Sequence, residues 1–248
     1  LFWYALVGKP GKLVDNSEFR TYLLSMAAVS VFVAVLLFTG AGLASIPERV
    51  PVIVGDAEHA LRQAVFQVVA IVTTTGYASM DFNTWSESAK VVLLFAMFLG
   101  GSAGSAAGSI KIIRWYVAGK SIQRELFTTV HPEAVRPMRV GDSVIDEGTI
   151  RGLVTFILVF LIIFALSTVV VFVEGLTNPD ISLSALEATS VAIATLGNVG
   201  PGFGDVGPMD SFLGFSDLGK LYMTFLMWIG RLEVLSVLVI FTPSFWRS

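Results

Sequence analysis

The stretch VTTTGYAS, residues 72–79, ends an apolar run, AVFQVVAIV (64–72), and places three threonines, a glycine and a tyrosine in an otherwise apolar region. No residue between Gln63 and Met80 is charged. The apolar segment 60–72 would be roughly 20 Å long as a helix, which is too short to cross a hydrocarbon core of about 30 Å. The pattern therefore predicts a re-entrant helix, which membrane depth tolerates only if it is buried in protein or lines water.

The composition indicates a membrane protein. The chain is 54% hydrophobic and only 14% charged, whereas a soluble domain has about 25% charged residues. Residues 21–47, 91–110 and 152–173 are free of charge over lengths that suit a membrane span. We therefore predict an all-α polytopic protein of the cell membrane.

Other residue counts exclude several function classes. The chain has no cysteine, and its two histidines lie outside the apolar runs, so the spans lack the His, Cys or Asp clusters that an intramembrane enzyme needs. The sequence pI near 5.4 argues against a nucleic-acid partner. We expect no enzymatic activity and no nucleic-acid binding.

The charges of the connecting segments predict the orientation. Segments 1–20 and 111–151 together with Arg247 hold 11 Lys/Arg against 7 Asp/Glu, which marks them as cytoplasmic. The other connecting segments, 48–62, 81–90, 174–187 and 205–220, hold 4 Lys/Arg against 11 Asp/Glu and are interpreted as external. An external acidic surface of this kind raises the local concentration of cations.

Three blocks recur in the same order and predict an internal repeat. AKVVLLFAMFLGG (89–101) aligns with GKLYMTFLMWIGR (219–231), and DNSEFR (15–20) aligns with DEGTIR (146–151). VAIVTTTGY (69–77) aligns with SVAIATLGN (190–198), which pairs Gly76 with Gly197. The repeat predicts two parallel helix–pore-loop–helix units.

The unit boundaries follow from these blocks. We assign residues 15–118 to one unit, 119–145 to a cytoplasmic connector and 146–248 to the other unit. Residues 1–14 are interpreted as the tail of a preceding unit with its linker.

A T-x-G turn after a short helix is suited to holding a cation. Glycine adopts positive φ at little cost, so successive carbonyls can point one way, and the negative end of the helix dipole favours a cation. Carbonyl rings of this kind bind K⁺ in channels with a TVGYG filter. The candidate ion-binding residues are Thr74, Thr75, Gly76, Tyr77, Thr195, Leu196, Gly197 and Asn198. The alternative is a buried helix end whose hydroxyl groups bond back to i−4 carbonyls.

The chain resembles the C-terminal half of the Trk/Ktr/HKT superfamily of potassium transporters, and the prokaryotic Trk type in particular. The resemblance rests on FQVVAIVTTTGYAS, GGSAGSAAGSIKIIR, HPEAV, ATLGNVGPGFG and GRLEVLSVLVIFTPSFW. It implies four pore-loop units around one pore, of which this chain supplies the third and fourth, and K⁺ as the transported ion.

The resemblance also implies partners. The pore needs the missing N-terminal half or a symmetric copy, the full protein is expected to form a homodimer in membrane lipid, and relatives are gated by a cytosolic ring of nucleotide-binding regulatory subunits. A Na⁺ or mixed Na⁺/K⁺ transporter of the same fold stays an alternative, as does a non-conducting membrane scaffold.

The stretch GGSAGSAAGS (100–109) contains only small residues, with glycines at Gly100, Gly101, Gly104 and Gly108. One interpretation is a helix-packing face with G-xxx-G spacing. The resemblance implies instead an intramembrane loop that gates the pore.

Arg231 aligns with Gly101 in the repeat and lies in an apolar helix, where a charge costs a few kcal/mol without a partner or water. The resemblance implies that Arg231 lies beside the loop as a barrier to cations, and a structural ion pair is the alternative. Glu233 is a poor partner for Arg231 because it lies on roughly the opposite face. Lys111 and Arg114 are expected to be snorkelling anchors.

Overall fold

The computed structural model describes residues 16–44, 53–134, 137–141, 143–243 and 245–246. The proposed tail and linker at 1–14, most of the external connection before the first short helix, and Arg247 lie outside the described residues.

The first unit contains three helices. Helix α1 (Ser17–Thr39) runs antiparallel into the short helix α2 (Ala57–Val72), and a 3₁₀ turn (Phe82–Thr84) precedes α3 (Glu87–Ala96). Polar residues begin each helix, because a side-chain oxygen accepts a hydrogen bond from an orphan amide of the first turn. The caps are Asn16 for α1, Asp56 for α2 and Ser86 for α3.

A broken segment and a cytoplasmic helix follow. Strand β1 (Leu99–Gly100) pairs in parallel with β2 (Ile110–Lys111), and helix α4 (Ile112–Val130) starts directly after β2. A small antiparallel pair, β3 (Arg139–Val140) and β4 (Ser143–Val144), leads to the second unit.

The second unit repeats the order of the first. It contains α5 (Glu147–Thr177), the short helix α6 (Ala185–Leu196), two 3₁₀ turns (Gly204–Val206 and Phe212–Gly214), α7 (Asp217–Arg231) and α8 (Val234–Ile240). Asp146 caps α5, and hydrogen bonds from the side chain and the amide of Thr149 lower the pKa of its carboxyl group. Ser184 and Glu187 form a capping box at α6.

Two described helices, α1 and α5, are long and apolar enough to cross a membrane. Helices α7 and α8 meet at a bend of 109° and would make a third span if they are counted as one. The described chain thus has the apolar helices of a polytopic membrane protein.

Both units contribute to one continuous buried core. Helix α2 packs along α1, and α6 packs between α5 and α7. The core joins Trp85 and Phe82 of the first unit to Phe203 and Leu196 of the second, and the ring of Phe82 meets that of Phe203 edge-on at 5.8 Å. The two short helices are therefore held in fixed positions relative to each other.

Candidate functional site

Each short helix ends in a turn with the same backbone conformation. After α2, Thr74 and Gly76 have φ values of 55° and 70°. After α6, Asn198 and Gly200 have φ values of 52° and 124°. In both turns a left-handed residue alternates with a right-handed or extended one, which brings successive carbonyl groups towards the same side.

The hydrogen bonds of the two turns match residue by residue. In the first turn, the amide of Thr73 donates to the carbonyl of Val69, that of Thr74 to Ile71, and those of Thr75 and Gly76 both to Ala70. In the second turn, the amide of Gly197 donates to the carbonyl of Ile193, that of Asn198 to Thr195, and those of Val199 and Gly200 both to Ala194. The counterpart of Gly76 is therefore Gly200. The sequence alignment, which paired Gly76 with Gly197, is wrong by three residues at this point.

The alignment failed because it matched the letters T-x-G rather than the helix end. Thr195 and Leu196 form the last turn of α6, and Gly197 is its right-handed C-cap. The Thr195 hydroxyl donates to the carbonyls of Val191 at 2.8 Å and Ala192 at 3.1 Å. For this threonine the alternative interpretation is therefore the right one: a buried helix end whose hydroxyl bonds to carbonyls of the preceding turn. The sequence feature that could have located the second turn is the pair Asn198 and Gly200, because asparagine and glycine tolerate positive φ.

The two turns meet at their glycines. A Cβ atom added to Gly76 would lie 2.5 Å from the carbonyl oxygen of Val199, and one added to Gly200 would lie 3.1 Å from the Cα of Gly76. A side chain at Gly76 would collide with that oxygen, and one at Gly200 would be tightly packed and strained by the positive φ of 124°. Two backbones can approach this closely only because both residues are glycine.

The threonines and tyrosine of the first turn have separate surroundings. The Thr75 hydroxyl donates to the carbonyl of Ala70 at 3.1 Å, and the oxygens of Thr73 and Thr75 are 3.1 Å apart. The Thr74 hydroxyl accepts a bond of 3.1 Å from the amide of Gly108. Tyr77 is 72% exposed.

The stretch 100–109 is not helical. Helix α3 ends at Ala96, the chain leaves through β1 and returns beside it through β2, and the amide of Ile112 donates to the carbonyl of Gly101 at 3.2 Å. Gly104 and Ser109 have φ values of 80° and 58°. The helix-packing interpretation of these glycines is wrong, because it requires a continuous helix.

The loop lies directly against both turns. Besides the bond from Gly108 to Thr74, a Cβ atom on Gly108 would collide with the carbonyl oxygen of Gly197 and lie 3.1 Å from the Cβ of Asn198. A Cβ atom on Gly100 would likewise collide with the carbonyl oxygen of Gly108. The small residues of the loop are therefore what allows it to approach the turns.

Arg231 contacts this loop. Its guanidinium group donates to the carbonyl oxygen of Ala106. Within the described chain no carboxylate forms an ion pair with it. The neighbouring Gly230 leaves no room for a side chain against the carbonyl oxygen of Leu196, so the end of α7 is fixed against the end of α6.

Glu233 has other partners. Its carboxylate accepts hydrogen bonds from Lys111 at 2.8 Å and from Arg114 at 2.9 Å. The sequence indicated correctly that Glu233 does not pair with Arg231. The expectation that Lys111 and Arg114 are snorkelling anchors is wrong, because both side chains turn to this carboxylate.

No group of three or more His, Asp or Glu side chains in the described chain could hold a metal ion. The oxygens that the two turns offer belong to backbone carbonyls and threonine hydroxyls, which are hard oxygen ligands. Such ligands suit an alkali cation better than a transition metal.

Comparison with known proteins decides the family. Residues 12–248 match the sequence model of the TrkH family, described as "Cation transport protein". The chain belongs to this family. Its relatives include the Trk system potassium uptake protein TrkI of Halomonas elongata, 37% identical over 189 residues, and TrkH of Escherichia coli K12, 35% identical over 188 residues. Each alignment covers 76% of this chain and 37% of the relative.

A solved structure agrees with this membership. The crystal structure of the potassium transporter TrkH from Vibrio parahaemolyticus matches with a TM-score of 0.80 at 30% identity, over 96% of this chain and 47% of that protein. The TrkH-family chain thus spans less than half the length of these relatives. The resemblance to the Trk type and the polytopic helical fold are both confirmed.

Proposed function

We propose that this chain forms two of the segments that line the K⁺ pathway of a longer membrane transport protein. The first segment is Thr74, Thr75, Gly76 and Tyr77, and the second is Asn198, Val199, Gly200 and Pro201. The observation that carries the proposal is the matching hydrogen-bond pattern of the two turns, with positive φ at corresponding positions, together with their contact at Gly76 and Gly200. The relatives that match the chain are described as potassium uptake proteins.

The geometry suits a dehydrated cation. Helices α2 and α6 both end at the turns, so the negative ends of their dipoles point towards the site. Carbonyl oxygens in a row can replace the hydration shell of K⁺ and pass the ion between neighbouring positions. The second segment revises our sequence-based choice of Thr195, Leu196, Gly197 and Asn198. Only Asn198 of these four is retained, because the other three lie in the last turn of α6 or at its C-cap.

The loop 100–109 is proposed to act as the gate of this pathway. It lies against Thr74 and Gly197. Its exposed crest, residues 103–106, accepts a hydrogen bond at the Ala106 carbonyl from the guanidinium group of Arg231. A positive charge beside the exit of a narrow pore repels K⁺. Movement of the loop away from the turns would break its bond to Arg231 and open the pathway.

The complete protein requires more than this chain. Two turns cover only part of the surroundings of an ion, so further units or a symmetric copy must supply the rest. We also propose the homodimer and the nucleotide-binding regulatory subunit that the resemblance implies, with the basic segment 112–145 as the cytoplasmic surface that this subunit would meet.

Ion competition in liposomes tests the assignment in the full-length protein. Gly76→Ser and Gly200→Ser should lower the preference for Rb⁺ or K⁺ over Na⁺ by at least about tenfold, which is about 1.4 kcal/mol, because a side chain at either position displaces the facing backbone. Gly119→Ala is the matched control, since a Cβ atom at that position meets nothing within 4 Å.

Gly197→Ala separates the structural pairing from the sequence alignment. Its Cβ atom would lie 2.7 Å from both the Ile193 carbonyl oxygen of α6 and the Ser109 hydroxyl of the loop, so the amount of flux should change while the ion preference stays, because neither atom belongs to the proposed segments. Loss of ion preference in Gly197→Ala but not in Gly200→Ser would refute the second segment. A folded, complete protein without any Rb⁺ flux would favour a non-conducting scaffold, and equal Na⁺ flux would favour a mixed transporter.

A further inference from the structure

The junction between α7 and α8 has an unusual backbone. The two helices bend by 109° at Leu232 and Glu233, and Glu233 has φ 64° and ψ 120°. Positive φ is costly for a residue with a Cβ atom, and such conformations persist only where surrounding contacts impose them. A glycine would adopt this bend freely, so the presence of a glutamate calls for interactions made by its side chain.

Those interactions lead to the exit of the loop. Lys111, whose ammonium group lies 2.8 Å from one oxygen of Glu233, is the last residue of β2, the strand that closes the loop. Arg114, 2.9 Å from the other oxygen, lies in the first turn of α4. The Arg114 guanidinium also stacks over the ring of Phe156 on α5, 3.6 Å from its centre. One carboxylate therefore connects the bend to the loop exit, to α4 and, through Arg114, to α5.

The same bend also reaches the crest of the loop. Arg231, two residues before Glu233, donates to the carbonyl of Ala106. The loop is thus held by the bend at its crest through Arg231 and at its exit through Lys111. A shift of the exit would move the crest away from the guanidinium group, because only a few residues separate Ala106 from β2.

We propose that Glu233 is a positioning residue for the gate: its carboxylate fixes the loop exit through Lys111 so that the loop crest meets Arg231. The inference rests on the proposed function of the loop as a gate. The side chains of Lys111 and Arg114 are 22% and 11% exposed, and partly desolvated ion pairs of this kind are stronger than pairs on an open surface. Loss of the carboxylate leaves two cations facing each other at the loop exit.

The loop position can be measured without ion flux. In a full-length protein whose only cysteine is an introduced Ser105→Cys, the rate of modification by a water-soluble maleimide reports how freely the exposed loop crest moves. Glu233→Gln should raise this rate roughly fivefold, as expected for contacting groups in one ion-pair network. It should also raise Rb⁺ uptake without changing the ion preference.

A double-mutant cycle tests the route through Lys111. Lys111→Gln should raise the maleimide rate nearly as much as Glu233→Gln, and the double variant should exceed neither single variant by much. Arg114→Gln should lower thermal stability while it changes the rate less, because Arg114 lies beyond the loop on α4. Glu147→Gln is the matched control, since it breaks the ion pair with Arg124 away from the loop.

The outcomes are distinguishable. Unchanged maleimide rates in both Glu233→Gln and Lys111→Gln would overturn the inference, and Lys111→Gln alone decides if Glu233→Gln does not fold. Independent, additive effects of the two substitutions would also overturn it. If the maleimide rates of Glu233→Gln and Lys111→Gln exceed that of the parent protein, but none of the proteins takes up Rb⁺, the proposed function is rejected and the positioning of the loop by Glu233 is retained.

Discussion

At several positions in this chain, the residue type is determined by a close approach of two backbones or by a positive φ. Gly76 and Gly200 face each other so closely that a Cβ atom on either one meets the backbone of the other turn. Gly108 is confined in the same way by the carbonyl of Gly197. Asn198 adopts positive φ without being glycine, and its side-chain amide donates to the carbonyl of Met227 at 3.0 Å, which fixes the second turn against α7.

Arg231 gives the residue-scale prediction. Arg231→Ala should increase Rb⁺ flux about tenfold, because a hydrogen bond from a charged group contributes roughly 1.5–3 kcal/mol to the closed position of the loop. The ion preference should stay, since the guanidinium group contacts the loop rather than the turns. Arg231→Lys should keep most of the barrier, because the charge is retained although the planar fork is lost.

The control for Arg231 lies on the same helix. Lys220→Ala removes a cation eleven residues earlier, about 16 Å away along the axis, and should leave the flux near that of the parent protein. If Arg231→Ala instead reduces the yield of folded protein and leaves flux unchanged, the arginine has a structural role and the barrier is refuted.

At the scale of elements, α3 and α7 show how one repeat can give two structures. Both begin at a serine cap, Ser86 and Ser216, after a 3₁₀ turn. Helix α7 continues to Arg231, whereas α3 ends at Ala96 and the chain enters the loop. The difference follows from composition, because four glycines in ten residues disfavour helix by about 1 kcal/mol each relative to alanine.

Shortening the loop gives the element-scale prediction. Deletion of residues 103–106 removes the carbonyl that Arg231 binds and should raise Rb⁺ flux, with the ion preference retained. Replacement of the same four residues by Gly-Ser-Gly-Ser keeps the length and a carbonyl at position 106, and should leave flux close to that of the parent protein. A deletion variant that is folded but has unchanged or lower flux would argue against a gate.

For the whole molecule, the side chains of Asn83 and Phe82 join the first unit to the second at the outer side. The side-chain Nδ2 of Asn83 donates to the backbone carbonyl of Gly204 at 3.0 Å, and the backbone amide of Gly204 donates to the side-chain Oδ1 of Asn83 at 2.9 Å. Close by, the rings of Phe82 and Phe203 meet, and the Phe203 amide donates to the Ser190 hydroxyl at 2.8 Å. Because the contacts of Asn83 with Gly204 and of Phe82 with Phe203 cross between the units, and the bond to Ser190 fixes Phe203 to α6, they set how far apart the two short helices stand.

Asn83 therefore gives the prediction at this scale. Asn83→Ala should lower the free energy of unfolding by about 1–3 kcal/mol, because it removes the hydrogen-bond partner of the Gly204 amide, and should also weaken the ion preference. Thermal unfolding in detergent and ion competition in liposomes measure the two effects. Asn178→Ala, which removes a bond of 2.9 Å to Gly214 within the second unit, is the matched control and should lower stability without altering the preference. An unchanged preference in Asn83→Ala would contradict a role of this contact in the spacing of the turns.

The sequence by itself determined the class of protein, the order of the elements and the family. Charge-free runs and short apolar segments are properties of consecutive residues, and the resemblance rests on the same local motifs, so no tertiary information was needed. The prediction of a break after α3 followed from the resemblance rather than from composition alone, since ten small residues with four glycines also suit a helix-packing face.

Only the tertiary structure decided which residues of the second unit match those of the first. Thr195 and Gly197 share letters with Thr74 and Gly76, but the helix α6 runs on to Leu196, and the hydrogen bonds to Ile193 and Ala194 place Asn198 and Gly200 in the turn. The partners of Glu233 were equally hidden, because Lys111 and Arg114 lie more than a hundred residues away along the chain. Local patterns record where a helix can form, whereas its last residue and the partners of a distant charge depend on the energy of packing two units together.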